Sequence, residues 1–174
     1  MEAILILGLV TLQRLGELVL SNRNTARLMA EGAREVGEEH YPFMVALHAA
    51  WLAGLWWLAS PWGGMGELPV SLALLIVYVL LQVLRFWVIA TLGRRWTTRI
   101  IVLPDAPLVR AGPYRFLGHP NYVVVVGEIA VLPLMFGLGW YALLFSGLNA
   151  LVLFVRIRAE NAALGIGSRQ QVRT

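Results

Sequence analysis

Two polar segments in the second half of the chain carry side chains that could do chemistry. The first is a turn-rich loop that contains Gly112, Pro113, Tyr114 and Arg115 and continues into His119, Pro120, Asn121 and Tyr122. The second contains Arg156 and Glu160, which are four positions apart and therefore project from one face of a helix. Arginine can hold a carboxylate or enolate oxygen with two N–H groups, and a carboxylate or an aromatic ring can accommodate a cation. A polar, turn-rich loop of this kind indicates a site that holds a ligand.

The chain that must position these residues is strongly apolar. It has 174 residues, of which 59% are hydrophobic and 14% charged, and its mean hydropathy is +0.71. A soluble globule of this size needs more polar surface than that composition provides. We therefore predict that lipid surrounds most of the molecule and that residues 1–174 form a single integral membrane domain.

Apolar stretches predict the helices of this domain. They cover residues 3–20, 42–59, 69–92 and 122–155. Because a membrane span needs only about 20 residues, the last stretch should fold as two helices that turn at residues 137–139. The β-branched run 123–126 is predicted to be helical, since an isolated strand leaves its backbone unpaired in lipid, and Pro133 is expected to bend the fourth helix. The predicted fold class is all-α: a polytopic bundle of five transmembrane helices, the last two as a hairpin.

Arginines predict the orientation of this bundle. All fourteen basic residues are arginine, and all but Arg14 and Arg85 fall in three segments, which follow the first, third and fifth predicted helices. Five crossings place these segments on one side, which the positive-inside rule assigns to the cytoplasm. We expect a bacterial inner (cell) membrane protein with its N-terminus outside and its C-terminus in the cytoplasm. Anchoring beside anionic lipid headgroups accounts for most of the arginines, and nucleic acid is not an expected partner.

Ionisable residues inside the apolar stretches predict buried pairs. Arg85 and Glu128 lie well within predicted spans. An unpaired charge there costs roughly 2.5 kcal/mol or more, so each should face the bundle interior beside a partner. Arg14, Glu17 and Gln82 invite the same structural interpretation. The chain has no cysteine, and His40 and His48 have no further ligand nearby, so no metal site is predicted.

The C-terminal part resembles the isoprenylcysteine carboxyl methyltransferase family, which is related to the membrane phospholipid methyltransferases. The resemblance covers roughly residues 90–165 and rests on residues 112–115, 119–122, Glu128, residues 156–160 and Leu164. Asn121 after His-Pro, together with the tract 95–99, is most similar to bacterial members that methylate alkylpyrones or alkylresorcinols.

This resemblance implies an S-adenosylmethionine-dependent O-methyltransferase. Its acceptor would be a lipophilic small molecule or a prenylated compound, methylated on a carboxylate or an enol or phenol oxygen and reached from the membrane lipid. The cofactor-binding region would be about residues 92–164, with Arg156 and Glu160 as catalytic residues. The implied cofactor-binding residues are Gly112, Pro113, Tyr114, Arg115, His119, Pro120, Tyr122, Glu160 and Asn161.

The chain departs from the family pattern twice, and other functions stay open. Gly118 stands where an arginine usually precedes His-Pro, and Asn161 replaces the second of two acids. His119 also fits a brace for the Pro120 turn, and Arg156 with Glu160 fits a salt bridge at a helix end. Alternative functions are an NADPH-dependent membrane reductase and a non-enzymatic small transporter or assembly protein that uses Arg14, Arg85 and Glu128.

Overall fold

Helices make up most of the protein. The computed structural model describes residues 2–59, 70–104 and 106–165. The helices in these ranges are α1 Glu2–Ala30, α2 Tyr41–Ala59, α3 Leu72–Leu92, α4 Pro120–Met135 and α5 Gly139–Leu164. The predicted all-α class is confirmed, and the run 123–126 is helical as expected.

Within the described residues, four segments are long and apolar enough to cross a membrane: Glu2–Ala30, Glu38–Ala59, Leu72–Arg95 and Gly139–Leu164. Large apolar side chains on them point outward, and Leu9, Leu80 and Leu151 are each more than 60% exposed. Such a surface is stable only in lipid, so this is an integral membrane protein. With 16 residues, α4 is shorter and reaches about 24 Å at 1.5 Å per residue. The fifth crossing therefore stays a prediction.

The turn between α4 and α5 lies close to the predicted position. The two helices pack against each other and are joined by residues 136–138. Gly137 has a φ of 76°, a conformation that favours glycine, and Pro133 lies in the last turn of α4. At this end of the bundle the Ser71 N–H donates to the Met135 carbonyl at 2.9 Å, so α3 begins where α4 ends.

A small β-sheet at the opposite end was not predicted. Strand β1 Arg34–Val36 pairs antiparallel with strand β2 Ile100–Val102, and Glu35 lies opposite Ile101. The pairing joins the segment after α1 to the segment after α3. Here α1 runs ten residues past the predicted apolar stretch, because Ser21, Asn24 and Leu28 are buried. This part of α1 packs against protein and not against lipid, so hydropathy alone did not reveal that the helix continues.

The charged residues inside the bundle form one ionic cluster, as predicted. Arg85 Nε donates to Glu17 at 2.5 Å, and Arg85 Nη1 donates to Glu128 at 3.1 Å. Arg14 binds the same two carboxylates at 2.8 Å and 2.6 Å. The amide of Gln82 donates to Glu128 at 2.7 Å. Two arginines and two glutamates neutralise each other, which lets α1, α3 and α4 bury charge within a membrane bundle.

Candidate functional site

A cavity of about 1130 Å³ opens at the end of the bundle that carries the β-sheet. Its wall is formed by the last turn of α1, both strands, residues 92–110, the start of α4 and the end of α5. Ligand pockets of small-molecule enzymes commonly measure about 300–1,000 Å³, so this cavity can take a large cofactor together with part of a second molecule. Charged and polar side chains on the wall include Arg34, Arg95, Arg99, Arg110, Asn121 and Glu160.

Arg156 lies on the cavity wall and is held from two directions. It lies within α5, whereas the sequence placed it at the end of that helix. Its Nε donates to the Tyr122 hydroxyl at 3.0 Å, and its Nη2 donates to the Thr98 carbonyl at 2.7 Å. Guanidinium has five N–H groups. Within the described part of the chain Arg156 uses two of them, so three are left for a ligand.

Glu160 reaches Arg156 only through Tyr122. The Tyr122 hydroxyl donates to Glu160 Oε2 while it accepts from Arg156. Among the described residues no direct ion pair joins Arg156 to Glu160, so the helix-end salt bridge considered from the sequence is wrong. The predicted common face of Arg156 and Glu160 is confirmed, because both residues lie on α5 and both border the cavity.

His119 is the residue immediately before α4, but its side chain makes no capping hydrogen bond. Its Nε2 lies 3.0 Å from Asn161 Oδ1, its Nδ1 lies 3.9 Å from Glu160 Oε2, and its ring stacks on Tyr122 with centroids 5.3 Å apart. The side chain is therefore held at the cavity by α5 instead of bracing the turn at Pro120.

Two further groups on the cavity wall keep fixed protonation states. Tyr114 is half-buried, and this burial, followed by the negative charge of Glu160, raises the pKa of its hydroxyl. Arg99 Nη1 donates to Glu35 at 2.8 Å, and this hydrogen bond raises the pKa of Arg99 further. Tyr114 stays neutral and Arg99 stays charged over the working pH range. Neither residue can serve as a general base.

Five of the ten site residues that the family resemblance implied border the cavity. Those on the wall are Tyr114, His119, Tyr122, Arg156 and Glu160. The other five, Gly112, Pro113, Arg115, Pro120 and Asn161, are not on the wall, but Asn161 contacts His119, which is.

The position of Gly112 has a packing explanation. Its φ is 54°, and a Cβ atom there would collide with the side chains of Thr91 and Trp87 in α3. Gly118 is on the wall, and nothing lies within 4 Å of the place where its Cβ would be. Among the described residues, a Cβ atom at Gly118 would therefore meet no collision.

Several residues that shape the site were missed from the sequence. The Thr98 carbonyl accepts a hydrogen bond from Arg156. The segment around Thr98 is held by hydrogen bonds from α1, at Ser21 and Asn24. Glu35 forms an ion pair with Arg99. One pattern could have pointed to two of them. Glu17, Ser21 and Asn24 are spaced by four and three residues and therefore share one helical face.

The fold and the cavity define an integral membrane protein with a polar site at one end of its helix bundle. A model of the isoprenylcysteine carboxyl methyltransferase family matches residues 73–166, more than half of the chain. The chain therefore belongs to this family, as the sequence motifs suggested.

Two relatives extend the similarity to almost the whole chain. An uncharacterised protein of Bacillus subtilis (strain 168), YpbQ, is 38% identical and covers 92% of this chain and 95% of its own length. An uncharacterised protein of Haemophilus influenzae is 27% identical over 87% of this chain and 88% of its own length. No solved structure matches significantly.

Proposed function

We propose that this protein transfers a methyl group from S-adenosylmethionine to an oxygen of a lipophilic acceptor. The acceptor is a small molecule or a prenylated compound that presents a carboxylate, an enol or a phenol. Methyltransferases of this family generally use S-adenosylmethionine. The observation that carries the proposal is that His119, Glu160 and Arg156 lie on the wall of one large cavity. Within the described residues Arg156 uses only two of its five N–H groups.

The cavity wall suits the polar parts of this cofactor. Trp96 Nε1 and Asn121 Oδ1 are buried and have no hydrogen-bond partner within the described residues, and both residues border the cavity. A buried polar atom without a partner costs about 1–3 kcal/mol, which a ligand can recover. Arg34 and Arg95 can bind a carboxylate, and the rings of His119 and Tyr122 can accommodate a sulfonium.

Methyl transfer from S-adenosylmethionine does not require a covalent intermediate with the protein. When bound, S-adenosylmethionine supplies a methyl group already activated by its sulfonium. Arg156 positions the acceptor oxygen with its remaining N–H groups, in an orientation fixed by Tyr122 and Thr98. Glu160 would offer negative charge to the cationic sulfonium, or would accept the proton of a phenol or enol acceptor. Orientation and exclusion of water then supply most of the rate enhancement.

The same proposal assigns the sides of the membrane. Residues 1–174 form one domain, and about residues 92–164 bind the cofactor from the cytoplasm. All five helices cross the membrane, with α4 and α5 as a hairpin, the N-terminus outside and the C-terminus inside. In support, the segments after α1 and α3 and the end of α5 meet at one end of the bundle. The last arginines of the predicted pattern, Arg169 and Arg173, lie outside the described residues.

Cofactor titration and a methyl-transfer assay test this function. Detergent-solubilised protein is titrated with S-adenosylmethionine and with NADPH by calorimetry. Transfer of labelled methyl is then measured to two probe acceptors, N-acetyl-S-farnesylcysteine and a long-chain alkylresorcinol, and to lipids extracted from the source cells. We expect binding of S-adenosylmethionine and a labelled lipophilic product. Binding of NADPH alone would replace the proposal with a reductase, and binding of neither would favour a non-enzymatic role.

A further inference from the structure

The polar face of α1 reaches the candidate site, although α1 lies outside the residues that the family model matches. Glu17, Ser21 and Asn24 are all buried on this face. Glu17 belongs to the ionic cluster in the middle of the bundle. Ser21 and Asn24, closer to the cavity, contact the segment 93–98 that follows α3. The helix is therefore fixed at two levels along its length.

Asn24 holds the first part of this segment. Its Nδ2 donates to the Gly93 carbonyl at 3.1 Å and to the Trp96 carbonyl at 2.8 Å. Both amide hydrogens are thus used in a side chain that is only 2% exposed. The Trp96 ring, also buried, forms part of the cavity wall. A single α1 side chain therefore fixes the backbone on either side of Arg94 and Arg95.

Ser21 holds the end of the segment. Its Oγ accepts from the Thr98 N–H at 2.8 Å and lies 2.9 Å from Thr98 Oγ1. The Tyr41 hydroxyl lies 3.1 Å from the same Thr98 oxygen. Thr98 in turn offers its carbonyl to Arg156 Nη2 at 2.7 Å. A continuous set of hydrogen bonds thus runs from α1 through Thr98 to the guanidinium of Arg156.

We propose that Ser21 and Asn24 are positioning residues that fix the orientation of the Arg156 guanidinium in the cavity. They keep the Thr98 carbonyl in place, and this carbonyl and the Tyr122 hydroxyl together set the plane of the guanidinium. The guanidinium is planar and its N–H groups lie in that plane, so the orientation of the plane decides where its free N–H groups can donate. The consequence for catalysis rests on the proposed function, in which Arg156 holds the acceptor oxygen.

The direct test observes Arg156 itself. Protein labelled with ¹⁵N-arginine is studied by NMR in detergent, and its Arg156 Nε–H resonance is assigned from its loss in Arg156→Lys. Ser21→Ala and Asn24→Ala should shift this resonance and speed its hydrogen exchange. Asn22→Ala is the matched control, because Asn22 is an exposed amide on the same turn of α1. Ser21→Ala removes only a hydroxyl and keeps the test usable if Asn24→Ala does not fold.

The kinetic test uses N-acetyl-S-farnesylcysteine as the probe acceptor. Turnover should fall roughly 10- to 100-fold in Ser21→Ala and Asn24→Ala, as expected when a positioning group shifts by about 1 Å. Ser21→Ala should keep its affinity for S-adenosylmethionine, because Ser21 contacts Thr98 and none of the residues proposed to bind the cofactor. In an Arg156→Lys background Ser21→Ala should add almost no further loss, because the two residues act as one unit.

Two results would overturn the positioning role: an unchanged Arg156 resonance in both α1 variants, or kinetic losses that add fully to that of Arg156→Lys. If the unmodified protein neither binds S-adenosylmethionine nor methylates any of the probe acceptors or extracted lipids, the proposed function fails. The resonance then still decides whether α1 positions Arg156.

Discussion

Arg156 and Glu160 lie one turn apart on α5, yet they meet at the hydroxyl of Tyr122 and not in an ion pair. The hydroxyl donates to Glu160 and accepts from Arg156, so it fixes both groups without neutralising either directly. Arg156 therefore keeps N–H groups for a ligand, and the Glu160 side chain stays on the cavity wall. An arrangement of this kind makes each of the three side chains separately testable.

Arg156→Lys should lower turnover much more than it lowers affinity for S-adenosylmethionine. Lysine retains the charge but cannot bind Tyr122 and Thr98 in one plane and still present a two-point donor to the acceptor. Turnover and calorimetric affinity are measured side by side. Arg158→Lys is the matched control, because Arg158 is exposed on the same turn. Near wild-type turnover in Arg156→Lys would exclude its role in holding the acceptor.

Tyr122→Phe should reduce turnover roughly 10- to 100-fold, because both Arg156 and Glu160 lose the hydroxyl that orients them. The same substitution at Tyr141 provides a control. The Tyr141 hydroxyl donates to the Trp51 carbonyl at 2.8 Å in the apolar core. Tyr141→Phe should cost about 1 kcal/mol of stability and leave turnover intact. Equal turnover losses in the two variants would point to a general packing effect.

His119→Ala should weaken binding of S-adenosylmethionine while the protein stays folded in detergent. The substitution removes a ring that stacks on Tyr122 and faces Glu160 on the cavity wall. Calorimetry measures the affinity, and gel filtration reports the folded state. His40→Ala, outside the cavity wall, should bind as the unmodified protein does. Unchanged affinity in His119→Ala would leave His119 with a structural role only.

Arg85→Ala should destabilise the bundle by roughly 3–5 kcal/mol, because it leaves Glu17 and Glu128 buried with only Arg14 to neutralise them. The free energy of unfolding is measured in detergent micelles. Arg94→Ala, at an exposed position just after α3, should change it by no more than about 0.5 kcal/mol. If Arg85→Ala were as stable as Arg94→Ala, the ionic cluster would not hold the helices together.

Single cysteines introduced at Gly64 and Ser168 should label from opposite sides of the membrane. The natural chain has no cysteine, so each label reports one position. Both positions lie outside the described residues, and the expectation rests on five crossings and the positive-inside rule. Labelling is done on intact cells with a membrane-impermeant maleimide, before and after permeabilisation. Labelling of both from the same side would contradict the proposed topology.

Much of the fold could be predicted because the properties that decide it are local. Length and hydropathy define the apolar helices, and the high cost of an isolated charge in lipid predicts that Arg85 and Glu128 find partners. The turn near Gly137 follows from a stretch too long for one span. The family follows from short motif blocks whose residues are visible in the chain.

The partners of the site residues depended on the tertiary structure. Helical periodicity places Arg156 and Glu160 on one face, but it cannot reveal that Tyr122 lies between them. Ser21 and Thr98 are 77 positions apart, and only packing of α1 against the segment after α3 brings them within 2.9 Å. A sequence determines which face of an element is buried, whereas its contacts with distant residues follow from how the elements pack together.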